Sequence, residues 1–125
     1  MIKTIKRHIF LEGRLRRRSY WPLTILHTGL VVGCGYLQHL STGMPQEHEI
    51  RLALGFIILG VVFLNFSAGV LRLHDTDRSG FSYFLLLLPI FGALILFLFL
   101  CQKGLEGSNR FGPDPRLRNL PEKQT

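Results

Sequence analysis

The short segment Arg72 to Gly80, RLHDTDRSG, carries a histidine, two carboxylates, two arginines and a serine hydroxyl. Three kinds of chemistry are open to it. His74, Asp75 and Asp77 together offer one imidazole and two carboxylates, enough to begin a site for a hard divalent ion or an acid–base pair. Arg72 and Arg78 could make charge-assisted bonds to phosphate, with Ser79 and Gly80 opening a helix whose N-terminal N–H groups attract anions. The third is structural. Arg14, Arg17 and Arg18 of the segment GRLRRRSYW could reach Asp75 and Asp77, and Glu12 could reach Arg72 or Arg78, closing an ion-pair clasp. The rest of the chain supplies no further cluster of ligands and no nucleophile. No catalytic residue, metal site or cofactor is therefore assigned. Arg14, Arg17, Arg72, His74, Asp75, Arg78 and Ser79 stand as a polar cluster, with the clasp as the first reading and anion binding as the second.

The elements that must position this cluster are apolar. Lys and Arg outnumber Asp and Glu by 15 to 8, yet these charges sit almost wholly outside three long apolar runs. A hydrocarbon core about 30 Å thick needs about 20 apolar residues in a helix. Tyr20 to Leu40 has no charged residue, Leu52 to Leu71 has none, and neither has Phe81 to Cys101. The second and third runs are apolar all round, and a soluble helix normally keeps a polar face. The first run is too long for a typical signal-peptide core, and no small-residue cleavage pattern follows it. The expected class is thus all-α: a polytopic membrane protein with three transmembrane helices. A basic N-terminal segment (1–19) precedes a membrane domain (20–101, with spans 20–40, 52–73 and 81–101). A turn-rich tail (102–125) follows, its last ten residues expected to be disordered. Tyr20 and Trp21 suit the headgroup level, and Pro89 is expected to kink the third span.

The basic flanks set the orientation and the partners. Three full spans starting from a cytoplasmic N-terminus place nine basic residues inside and six outside, which favours N-in. The basic tail then falls on the outer side. A re-entrant third run, broken at Pro89 and Gly92, would return it to the cytoplasm. A straight crossing is preferred, because the run's length matches the bilayer. Anionic lipids are the expected partners of these charges. Nucleic acid is not, because basic and aromatic residues are not interleaved in the RNA-binding manner.

Polar groups also lie within the spans. His27 and Asn65 fall about 10 and about 12 Å below the cytoplasmic surface on successive antiparallel helices. They are expected to bond to each other or to share a polar pocket with Thr28 and Ser67. Gly29 and Gly33 form a GxxxG pattern that allows close helix approach, either within the chain or between copies. Cys34 and Cys101 read as small buried hydrophobes.

The segments GRLRRRSYW, RLHDTDRSG and EGSNRFGPDP, in that order, resemble the bacterial inner-membrane family called domain of unknown function 805. The matching residues are Gly13, Arg14, Arg17, Tyr20 and Trp21, then Arg72 to Asp75 with Arg78 to Gly80. Gly107, Asn109, Arg110, Gly112, Pro113, Asp114 and Pro115 complete the set. Leu71 stands where the family often has Arg, and Asp77 where it often has Gly. The resemblance implies an inner-membrane location and supplies no activity. The expected function is non-enzymatic, through association with a second copy or another membrane protein. A permeation subunit and a lipid-headgroup-binding protein are the alternatives.

Overall fold

A computed structural model describes residues 13–117. Residues 1–12, Glu12 among them, and most of the last ten residues lie outside that range. Within it the chain is helical, with no strand among the described residues. Helix α1 spans Arg17–Leu40 and helix α2 spans Glu47–Asp75. Pro22 is the sixth residue of α1, so the Arg18 carbonyl receives no i→i−4 hydrogen bond from it. Glu47 and Glu49 open α2 while Arg72 and His74 close it, each charge complementing the helix dipole. The two helices run antiparallel. Gln38 Nε2 bonds to Arg51 O at one end (3.1 Å), and Leu15 N bonds to Leu71 O at the other (2.9 Å).

Only α2 among the described helices is both long and apolar enough to cross a membrane by length and composition. Helix α1 has 24 residues but is diluted by its threonines, histidines and Gln38.

The third apolar run departs from the single helix expected over Phe81 to Cys101. It forms a 3-10 helix, Gly80–Leu87, then breaks, then resumes as helix α3, Phe91–Cys101. The break has a local cause. Pro89 restricts Leu88 to extended backbone (φ −85°, ψ 111°) and cannot donate to a helix. Ile90 then takes φ 64° and ψ −61°, and Phe91 N bonds to Pro89 O at 2.7 Å. That is a tight γ-turn in a backbone region costly for a β-branched residue. Gly92 packs so closely on the Leu85 carbonyl that any Cβ there would overlap it. The run is therefore a hairpin, and α3, with 11 residues, reaches about 16 Å, half a hydrocarbon core.

Both arms return to the same end of α2. Gly80 lies against Val70, and Arg72 Nε bonds to Leu100 O at 3.0 Å. The core lies here, formed by Tyr20, Ala68, Leu73, Leu96 and Leu100, with Leu15, Trp21, Tyr83 and Phe99 packed on it. Tyr20 is thus packed within the protein core. Trp21 meets Phe97 edge-on at 5.9 Å and Tyr83 meets Phe66 at 4.7 Å. Gly69 admits the Tyr83 ring because it has no side chain, since a Cβ would overlap the hydroxyl.

Candidate functional site

The three charged segments meet around one carboxylate at the end of α2. Arg14 Nε reaches Asp75 Oδ1 at 3.1 Å, and Arg72 Nη1 reaches Oδ2 at 2.7 Å. All three side chains are at most 4% exposed. Buried guanidiniums need partners for every N–H, and the folded-back chain provides carbonyls. Arg72 also donates to Leu100 O and Gln102 O, and Arg14 to Leu105 O and Gly107 O. Leu105 N in turn donates to Asp75 O at 2.9 Å. Gly104 sits on the carboxylate itself, where any Cβ would overlap Asp75 Oδ2.

Around this centre the tail is folded by its own polar groups. Asp114 accepts from Gly107 N (3.0 Å) and Arg116 N (2.9 Å). Those bonds, helped by the Arg116 and Arg14 guanidiniums, hold its carboxyl below the usual carboxylate range. Arg116 donates to Gly104 O at 2.7 Å. Asn109 and Gly112 exchange backbone bonds in a tight turn, and Asn109 Nδ2 donates to His74 O at 2.8 Å.

His74 is 7% exposed. Its Nδ1 meets Gly13 O at 3.2 Å, and its ring stacks on Phe111 with centroids 3.8 Å apart and planes 3° from parallel. An open, largely apolar hollow of about 300 Å³ also borders it, lined by Phe66, Val70, Ser79, Gly80, Phe81 and Phe84 as well. Asp77 does not join Arg17 or Arg18. It takes φ 58° and faces Arg110, which bonds to its carboxylate (3.1 Å) and its carbonyl (2.7 Å). The left-handed backbone explains why glycine suits this position, and the Arg110 pair explains how Asp is held there.

Of the expected ion pairs, Arg14 meets Asp75; Arg72, expected to face Glu12, bonds to Asp75 instead, and His74 lies at the edge of this group. Arg17 borders it, donating to Cys101 O at 3.1 Å. The expected phosphate site of Arg72, Arg78 and Ser79 does not assemble. Arg72 is spent on the clasp, and Arg78 lies over the Phe99 ring at 3.8 Å while donating to Gln102 Oε1. The Ser79 hydroxyl caps its own 3-10 helix by accepting from Phe81 N. His74, Asp75 and Asp77 face three different sets of partners, and no group of three metal-ligating side chains occurs among the described residues.

Inside the apolar region, no hydrogen bond joins His27 to Asn65. The His27 Nδ1 and Thr24 Oγ1 atoms are buried without a partner. Gly29 and Gly33 face open space, with nothing within 4 Å of a Cβ built on either. Packing within the chain therefore makes no use of that ridge. Sequence reasoning missed Gly104, Asp114, Arg116 and the tail carbonyls as members of the site. Asp114 lies in the segment EGSNRFGPDP, with Gly104 and Arg116 just outside it, but a straight third span separates this tail from the Asp75 end of α2, where the structure places it.

A buried two-arginine, one-carboxylate clasp, closing an apolar hairpin and three polar segments at one end of a helical pair, defines the class: a small all-helical membrane protein. The chain matches the family described as Protein of unknown function (DUF805) over residues 9–113 and belongs to it. It is similar to Inner membrane protein YhaH of Escherichia coli strain K12, 38% identical over 117 residues, 93% of this chain and 95% of that one. It is also similar to Inner membrane protein YhaI of the same strain, 35% identical over 115 residues, 92% and 93% of the two chains. An inner-membrane location follows. No solved structure matches.

Proposed function

We propose that the chain is a non-enzymatic inner-membrane protein that associates with a second copy of itself through the open ridge of α1, with its clasp in the cytoplasm. The observation that carries this reading is the vacancy over Gly29 and Gly33. The ridge is bordered by Ile25, Val32 and Tyr36, which are 70%, 65% and 61% exposed. Two such ridges related by a twofold axis bring backbones into close contact, the arrangement small-xxx-small helices favour in lipid. His27 lies buried inside the chain rather than on this face, which argues against a polar lumen in a ring. The hydrogen bonds that engage His74, Asp75 and Asp77 argue against a catalytic role for that loop.

Orientation rests on the hairpin. Because both of its arms end beside Arg72, fourteen of the fifteen Lys and Arg residues lie in sequence segments that adjoin the Asp75 end, and Arg51 alone lies at the opposite end, near the start of α2. The positive-inside rule then puts the clasp and the tail in the cytoplasm. Protease added to sealed inverted vesicles should cut the tail, while right-side-out vesicles should protect it. The reverse pattern would overturn the orientation.

The association is tested by the mass of the intact assembly released from nanodiscs. A mass of twice the chain is expected, falling to one chain in Gly29→Leu and Gly33→Leu. A monomer in the unaltered protein, or a dimer indifferent to both substitutions, rejects the reading.

A further inference from the structure

The start of α1 breaks the rule that the start of α2 obeys. Helix N-termini carry partial positive charge and favour acidic residues. Helix α2 begins with two glutamates. Helix α1 has no acidic residue in its first turn and no side-chain cap, and Arg16, Arg17 and Arg18 occupy its opening positions instead. Three cations on the positive end of a 24-residue helix repel one another and the dipole, so the arrangement wants an anion.

There is a place for one. A cavity of about 340 Å³ opens beside this helix end, lined by Arg16, Arg17, Arg18, Asp75, Lys103, Gly104 and Arg116. Its one carboxylate, Asp75, is already bonded to Arg14 and Arg72 and is 4% exposed. The lining therefore presents five cations and no uncommitted acid. Lys103 and Arg116 do have an acidic neighbour in Glu106, which is 72% exposed, and Arg116 a second in Asp114 at 3.9 Å; both carboxylates stand outside the lining. Among the described residues, Arg16 and Arg18 have no acidic partner. The cavity is of a size for a phosphate with its ester substituents, and guanidinium is the side chain whose fork matches phosphate oxygens.

We propose that this cavity binds the phosphate group of an anionic ligand, with Arg16 and Arg18 as the principal contacts, α1 N–H groups behind them and Lys103 and Arg116 opposite. The site differs from the phosphate site expected at Ser79 in residues and in place. It does not depend on the α1 ridge being an interface. Two sources present this chemistry: the headgroup of an acidic phospholipid, and free phosphate or a soluble phosphate ester.

The test uses the whole chain. Nanodiscs of phosphatidylcholine mixed with phosphatidylglycerol supply the lipid arm, read as the phospholipids retained on the released protein by native mass spectrometry. Inorganic phosphate titrated into protein in a non-ionic detergent supplies the soluble arm, read by phosphorus NMR line broadening. The double variant Arg16→Gln/Arg18→Gln removes two of the three cations that have no acidic partner among the described residues, sparing Arg17, which bonds to Cys101 O, and leaves the clasp intact; Arg51→Gln at the other end of α2 is the control. Selective retention of phosphatidylglycerol, reduced about tenfold or more in the double variant and unchanged in Arg51→Gln, assigns the site to a lipid headgroup. Broadening by phosphate that the double variant abolishes, without lipid retention, assigns it to a soluble ligand. If neither readout responds to the double variant while circular dichroism shows its helices intact, the proposal is overturned.

Discussion

The two ends of the α1–α2 pair use the same residue types under opposite conditions. At the Ser41–Gln46 turn, Glu47 meets Arg51 at 2.8 Å with the side chains 28% and 53% exposed. Gly43, at φ 83°, donates its N–H to Glu47 Oε2 at 2.7 Å. At the other end Asp75 holds two arginines with almost no exposure, and backbone from the returning hairpin fills the remaining donors. The first pair can be broken and its charges hydrated. The second cannot, because the hairpin and tail cover it. An acid–base pair thus takes its structural weight from what lies on top of it.

That contrast sets an order of effects. Asp75→Asn should be the most damaging change, leaving two buried guanidiniums facing an amide. A loss of about 3–5 kcal/mol is expected, read from unfolding of the helices in mixed micelles. A loss under about 1 kcal/mol would show that water reaches the clasp.

Lowering the pH should act next, on the tail. Asp114 has a depressed folded-state pKa. Its stabilising contribution is therefore complete above the unfolded carboxylate value of about 4 and is lost as pH falls through the folded value. Amide exchange across residues 104–117 should speed up below about pH 4, while α1 and α2 keep their protection. Exchange unaffected down to the lower folded value would mean that Asp114 does not secure the tail.

Smallest of all should be Glu47→Gln, which removes an exposed i,i+4 pair worth about 0–1 kcal/mol. A shift as large as that of Asp75→Asn would erase the distinction between the two ends.

Much of this was legible before the fold. The uncharged runs marked α1 and α2, and the order of the three polar segments marked the site. Charge and position brought Arg14, Arg17 and Arg18 within reach of Asp75 and Asp77 without saying which would pair, and of these only Arg14 and Asp75 form an ion pair among the described residues. The third run was misjudged because hydropathy counts residues and does not register direction. Its 21 residues satisfy a crossing and a hairpin equally, and Pro89 with Gly92 reads as a kink in one and a turn in the other. His27 and Asn65 were placed at equal depth from helix rise, but rise does not fix the rotation of a helix about its axis, so depth alone could not make them bond. Nor could spacing say whether Gly29 and Gly33 face the chain or the lipid.

The sequence by itself determined where charge is forbidden and where it must collect, because moving apolar groups into hydrocarbon and leaving ions in water depends on composition along the chain. Which ions meet is a property of the fold. Arg14, Arg72 and Asp75 find one another, and Gly104 lies flat against them, because the turn at Pro89 and Ile90 sends α3 back beside α2. Pro89 breaks the helix locally, but the direction in which α3 returns is set by packing against α2, between residues distant in sequence.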